Sequence, residues 1–319
     1  MSLLELRDLS VTYAGDVPAV RGVSLSVAPG EVLGVAGESG CGKSTITNAV
    51  LRLLPKSATV GGSVLLDGED VYGMSFGRLR AIRWATASIV FQGALHSLNA
   101  VQTIGRQIAE PILLHEPKTS RKAADLRVGE LLEQVGLPAR RARDYPHQLS
   151  GGQRQRVMIA LALACRPRLV IADEPTTALD VMVQAQVLEL LSGLVRDLGL
   201  ALVLISHDLS VLGTTCDRVA VMYAGKVVEE GPASVVFDDS RHPYSGALAG
   251  AFPRVGDPRF RYAPAGLAGD PPYPGDLPAG CPFHPRCPVA LDRCAEAEVE
   301  LVQVEAGRRA ACLLAEEAS

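Results

Sequence analysis

An apolar run, Val32 to Ala36, leads directly into Gly37-Glu38-Ser39-Gly40-Cys41-Gly42-Lys43-Ser44 and then into a helix-like stretch that reaches Leu54. Two glycines bracket four residues and are followed by a lysine and a hydroxyl, the spacing of a phosphate-binding loop set between a strand and a helix. Such a loop works through its backbone: glycines let main-chain N–H groups turn inward around phosphates, and the helix presents the positive end of its dipole. Lys43 is expected to reach the β- and γ-phosphates of a nucleotide and Ser44 to ligate magnesium, with Thr45 closing the binding stretch. The loop asks little of the side chain at position 41. Cys41 stands near Lys43 and a helix start, where a thiolate would be stabilised and could sense redox state; a permissive filler is the simpler reading.

Other short apolar runs, Glu31 to Ala36, Leu169 to Ala172, Leu200 to Ile205 and Val219 to Tyr223, are bounded by turn residues and separated by helical patterns. That alternation predicts an α/β fold with a mostly parallel core sheet. Leu3 to Leu9, Val20 to Val27 and Ser63 to Leu66 read as strands near glycine-rich turns, an antiparallel β layer beside the nucleotide. From Thr103 to Tyr145 there is no comparable strand signal, so a helical subdomain is expected over about 95–165. Ten of the 21 prolines fall between Pro253 and Pro288, where regular elements should be sparse. The organisation read from this is a nucleotide-binding domain over 1–250 and a small, irregular, Cys/Pro-rich C-terminal domain over 251–319.

With 319 residues, 48% of them hydrophobic, the chain has ample core. Its net charge of -4 comes without a block of lysine and arginine, which disfavours sequence-independent binding of nucleic acid and points to protein partners. The start lacks a basic flank and long apolar run, and no apolar stretch approaches the ~20 residues needed to span a bilayer. A cytosolic location is therefore expected, where the seven cysteines are thiols or metal ligands rather than disulfides.

Two downstream motifs add chemistry. Leu169-Val170-Ile171-Ala172-Asp173-Glu174-Pro175 places two carboxylates at the end of a buried strand, where they can divide labour: Asp173 to hold magnesium through water, Glu174 to polarise an attacking water. Leu149-Ser150-Gly151-Gly152-Gln153 starts a helix. Ser150 is a good N-cap, and its hydroxyl, the glycine N–H groups and the dipole terminus form a second anion site. A plain capped helix would suit the same residues.

In order and spacing these three motifs resemble the ATP-binding-cassette superfamily. The resemblance implies that the Ser150 helix faces the γ-phosphate bound by an opposite subunit, so that a single chain is nearly inactive. It also implies that Gln92, after Ile89-Val90-Phe91, senses magnesium and water and couples to a membrane partner. Ala178-Leu179-Asp180 would contact the facing subunit, His207 would be the γ-phosphate switch, and Tyr13 would stack on adenine. Ser97-Leu98-Asn99, Tyr145-Pro146-His147-Gln148, Val183-Gln184-Ala185-Gln186, Asp217 to Gly225 and His242-Pro243-Tyr244 narrow the resemblance to the oligopeptide and dipeptide importer ATPases, over nearly the whole chain. Gly93-Ala94-Leu95-His96 before Ser97, and Ala100 in place of a usual proline, depart from that pattern.

What the resemblance implies is an ATP- and Mg2+-dependent ATPase at the cytoplasmic face of the membrane. It would pair with a second cassette and with two permease subunits, and an extracytoplasmic solute-binding protein would deliver the peptide. Related importers carry nickel or oligosaccharides, and the same motor also serves soluble enzyme complexes.

The tail holds a separate constellation, Cys281-Pro282-Phe283-His284-Pro285-Arg286-Cys287, then Cys294 and Cys312. The spacing lacks the paired Cys-x-x-Cys hooks of a zinc ribbon. Four thiolates in a module poor in regular structure suit an iron-sulfur cluster, and certain importer ATPases of this kind carry a 4Fe-4S cluster in their tails. Tetrahedral zinc and unligated thiols are the alternatives, and His284 is a competing ligand. Cys165 and Cys216, in apolar surroundings, read as buried filler.

Overall fold

The computed structural model describes residues 2–93, 97–251, 267–296 and 298–317. The departure at 94–96 and the prolines from Pro253 to Pro264 lie outside the described residues. Two compact units emerge, one of residues 2–27, 32–72 and 204 onward, the other of residues 28–31 and 73–203.

The first unit opens with β1 (Leu4–Tyr13) and β2 (Val17–Val27), paired antiparallel with Leu4 opposite Val27 and Leu6 opposite Leu25. Leu4, Leu6, Leu9 and Val11 are buried while Glu5, Arg7 and Ser10 are not, so one face of β1 packs inward. After β3 (Val32–Ala36), buried at every position, and α1 (Lys43–Val50), the strand β4 (Thr59–Leu66) pairs with the other edge of β1. β5 (Glu69–Asp70) completes an antiparallel sheet of order β2-β1-β4-β5. This is the expected antiparallel layer. β1 runs four residues past Leu9, because bulges near Asp8 and Ser10 shift the register without ending the pairing.

The chain then enters the second unit through α2 (Phe76–Ile82) and β6 (Ala87–Val90). Two helices follow, α3 (Ile104–His115) and α4 (Arg121–Gln134), the latter capped by Ser120. Only short 3-10 turns intervene before α5 (Gly151–Ala162), so the stretch without strand signal is helical as expected. β7 (Leu169–Asp173) lies parallel to β6, Ala87 opposite Leu169 and Val90 opposite Ala172. α6 (Val181–Leu198) closes this unit, and β8 (Ala201–Ser206) carries the chain back into the first.

There α7 (Leu209–Thr215) precedes β9 (Arg218–Tyr223), which runs parallel to β3 and forms a hairpin with β10 (Lys226–Pro232). The helices α8 (Ala233–Asp238) and α9 (Pro243–Ala251) follow. Between 267 and 296 the described chain holds short 3-10 turns among turns and irregular backbone. A terminal hairpin, β11 (Val302–Glu305) and β12 (Arg308–Ala310), adds itself to β10 before the short α10 (Leu313–Glu317). Val304, Ala310 and Ala315 form a small core beneath it, with Val302 and Cys312 packed alongside. Among the described residues no helix is long and apolar enough to cross a membrane.

Candidate functional site

The phosphate loop connects β3 to α1. Gly37 (φ 148°) and Gly42 (φ 108°) have backbone angles that side-chain-bearing residues avoid, and a Cβ on either would lie 2.4 Å from a carbonyl oxygen, of Met222 and Ala19 respectively. The loop thereby lies close against β2 and β9. Lys43 is buried, and its Nζ donates to the carbonyls of Gly37 (2.6 Å) and Glu38 (2.8 Å), with the Cys41 sulfur at 3.6 Å. The ammonium thus sits in the mouth of the loop. Burial pushes the Cys41 thiol up despite the opposing charge of Lys43, which keeps it protonated and favours filler over sensor. Ser44 is exposed on the first turn of α1. Tyr13, the last residue of β1, places its hydroxyl 3.2 Å from that of Thr45, which brings its ring to the same helix start.

In the second unit the parallel register of β6 and β7 puts the residues just past their ends side by side. Asp173 ends β7 and is 6% exposed. Glu174, one residue on, has φ 44°, a left-handed turn that aims its carboxylate out of the sheet. Its Oε2 accepts from Gln92 Nε2 (2.9 Å) and from Thr177 Oγ1 (2.9 Å). Sequence reasoning singled out Gln92 and Glu174 but missed Thr177; the turn Glu174-Pro175-Thr176-Thr177, closed by the Thr177 N–H on the Glu174 carbonyl, was the available signal. In the second unit the Asp173 carboxylate and the Gln92 amide oxygen are hard oxygen donors of the kind magnesium takes, and in the first unit the Ser44 hydroxyl is another.

α5 begins with a complete capping box: Ser150 Oγ accepts from Gln153 N–H, and Gln153 Oε1 accepts from Ser150 N–H. Its neighbour α6 is capped by Asp180, whose Oδ1 accepts from Val183 N–H at 3.0 Å. A Cβ on Gly152 would lie 2.5 Å from Val183 Cγ1, so this glycine is what allows the two helix starts to touch. Two positive dipole ends are therefore juxtaposed. His207, back in the first unit, is exposed immediately after β8.

Cys281, Cys287, Cys294 and Cys312 line one cavity in the first unit, together with His242, Phe283, His284 and apolar neighbours. The Cys281 N–H donates to the Cys294 carbonyl (2.8 Å), which ties the first and third cysteine segments. His284 lines the cavity but its Nδ1 lies 2.9 Å from the Cys281 carbonyl. Burial pushes the thiols of Cys281, Cys287 and Cys312 up, so a cation bound there would have to displace their protons. Among the described residues no group of three or more His, Cys, Asp or Glu is arranged around the position of one metal ion. Burial also raises Cys165, to about 11, and Cys216, in keeping with inert filler.

The family model described as ABC transporter matches residues 20–177, and that of the oligopeptide/dipeptide transporter C-terminal region matches residues 228–294. The chain is 47% identical to the oligopeptide transport ATP-binding protein OppD of Mycobacterium tuberculosis, over 98% of this chain and 52% of that protein. It thus spans about half the length of the first curated relatives it matches. It is 45% identical to a putative peptide import ATP-binding protein of Brucella suis, over 97% of this chain and 94% of that one. With OppD of Salmonella typhimurium the identity is 44%, over 97% and 93%. Among solved structures, the dimeric ATP-binding cassette MJ0796 bound to ADP and Pi aligns with TM-score 0.65 and 30% identity, covering 72% of this chain and 98% of that one. For cbiO1 from Clostridium perfringens, part of the ABC transporter complex cbiONQ, the TM-score is 0.66 and the identity 28%, covering 75% and 91%. The chain belongs to the ATP-binding-cassette family, alongside the oligopeptide transport and peptide import ATP-binding proteins.

Proposed function

We propose that this chain hydrolyses ATP to drive peptide import, working as one of two paired cassettes against membrane permease subunits, at the cytoplasmic face of the membrane. The observation that carries the reading is the Glu174 carboxylate, held by Gln92 and Thr177 just past a buried strand. In the proposed step Glu174 accepts a proton from a water that attacks the γ-phosphorus; the bond to the bridging oxygen breaks, and ADP and phosphate leave. Lys43 and the loop N–H groups hold the β- and γ-phosphates, and the imidazole of His207 contacts the γ-phosphate. Ser44, Asp173 and Gln92 hold magnesium, which when bound neutralises phosphate charge. Tyr13 stacks on adenine. The capped start of α5, Ser150 to Gln153, and Asp180 serve the triphosphate of the facing cassette, so hydrolysis requires two.

For the tail we favour a 4Fe-4S cluster held by Cys281, Cys287, Cys294 and Cys312. What supports the reading is that the four cysteines line one cavity.

The deciding experiment is Glu174→Gln. It should bind ATP with near-native affinity, lower kcat about 10²–10³-fold and shift the protein to a dimer on gel filtration with MgATP. Near-native turnover would remove Glu174 from its role, and full activity in a strictly monomeric species would end the two-cassette reading. Permease subunits recovered with the chain, and their peptide dependence, test the cargo.

A further inference from the structure

Arg286, the residue before Cys287, reaches into the phosphate loop. Its guanidinium grips the Glu38 carboxylate with both arms, Nη1 to Oε2 at 2.7 Å and Nη2 to Oε1 at 3.0 Å. Nε donates to the Ala268 carbonyl (2.8 Å), Nη2 also to the Gly269 carbonyl (3.0 Å), and Nη1 also to the Tyr223 hydroxyl (3.2 Å). With a side chain 7% exposed, this is a bidentate pair largely withdrawn from water, the strong form of an arginine–carboxylate contact. Glu38 pairing and burial act oppositely on Arg286, and the pairing wins: its pKa is raised.

Glu38 is the second residue of the loop. Its N–H donates to the Tyr244 hydroxyl (2.8 Å), and its carbonyl accepts from Lys43 Nζ. Tyr244 packs on Tyr223 and Phe283, with ring centroids 4.6 and 5.3 Å away, and Phe283 lines the cysteine cavity. One loop residue therefore connects the phosphate-binding lysine to the cysteine module. Phosphate-loop chemistry asks for no acid at position 38, and a bare carboxylate there would repel a triphosphate.

We propose that Arg286 is a positioning residue for nucleotide binding: it neutralises the Glu38 carboxylate, and through that pairing the state of the adjoining cysteine cavity sets the affinity of the phosphate loop for ATP. The inference rests on the ATPase reading above.

The test is equilibrium titration of the full chain with a fluorescent ATP analogue, beside steady-state kinetics. Arg286→Met should weaken binding about tenfold and raise KM in step, with kcat at saturation within about threefold. Adding Glu38→Gln to Arg286→Met should restore affinity to within about threefold, because the repulsive charge is gone although the brace is still missing. A purely structural brace predicts no such rescue, and a double variant as weak as Arg286→Met overturns the proposal. So does wild-type affinity in Arg286→Met. Should Arg286→Met fail to fold, Glu38→Gln alone decides: unchanged or tighter binding supports the inference, and tenfold weaker binding overturns it. Cys287→Ser should shift the Kd of the otherwise wild-type chain by at least about threefold and leave that of the double variant unmoved; no shift in the former refutes the coupling. A wild-type chain that binds no ATP would sink the ATPase reading itself, whereas equal binding by wild type and Arg286→Met sinks only this inference.

Discussion

Glu174 occupies a left-handed backbone conformation that costs a residue with a side chain on the order of 1–3 kcal/mol, and the surroundings hold it there with two hydrogen bonds to a single oxygen. The Gln92 contact comes from just past the neighbouring strand β6 and the Thr177 contact from the same turn. Thr177→Val removes one donor at constant shape. If each bond is worth about 1 kcal/mol of carboxylate orientation, kcat should fall about fivefold with ATP affinity unchanged. Single-turnover rates and equilibrium binding on the same preparation check this; a loss of affinity would mean that Thr177 serves binding. At this scale candidate residues were legible in the sequence wherever a motif fixes backbone and side chain together, as in Gly37 to Ser44 and Asp173-Glu174. It did not show Arg286 or Tyr244 against Glu38. Those contacts join residues 248 and 206 positions apart, and no local spacing encodes them.

Among the elements, strands were legible where every residue is buried, because β3, β7, β8 and most of β9 read as unbroken apolar runs. The terminal hairpin was not. Val302-Gln303-Val304-Glu305 alternates only briefly, and its partner strand Arg308–Ala310 carries a fully buried arginine, which sequence patterns assign to the surface. The helix starts lie in between: Ser150 reads as a cap from the sequence, whereas the cap at Asp180 and the proximity of the two, which depends on Gly152, come from the structure. Gly152→Ala would drive a methyl group into Val183 and should destabilise the protein by about 1–3 kcal/mol through overpacking. Val183→Ala removes the obstructing methyl, so the double variant should recover most of the loss. Urea midpoints of the four proteins measure this, and an additive double variant would show that the clash is relieved by another route.

At the scale of the whole molecule, the tail is charge-matched to the strand it joins. Adjacent strand residues face opposite ways, and both Glu229 (0% exposed) and Glu230 (4% exposed) on β10 are buried. Glu229 accepts from the N–H groups of Arg241 (2.8 Å) and His242 (2.9 Å) and from Arg308 Nη2 (3.0 Å), while Glu230 pairs with Arg218 and Arg309. Arg308 is 79 residues from Glu229 in sequence, so the hairpin supplies a distant cation to a buried acid of β10. Arg308→Met keeps the bulk and removes the charge, which leaves Glu229 a buried anion without its ion partner. The expected loss is about 3–5 kcal/mol, or on the order of 5–15 °C in Tm. Glu229→Gln still accepts both backbone N–H groups, so in combination with Arg308→Met it should regain a large part of that loss. The cysteine cavity draws Cys312 from the segment that this pair secures, so thiol alkylation at a fixed temperature should quicken in Arg308→Met and slow again in the double variant. Unchanged melting in Arg308→Met would mean that the apolar contacts of Val304, Ala310 and Ala315 alone hold the tail, and the charge match would then be incidental to it.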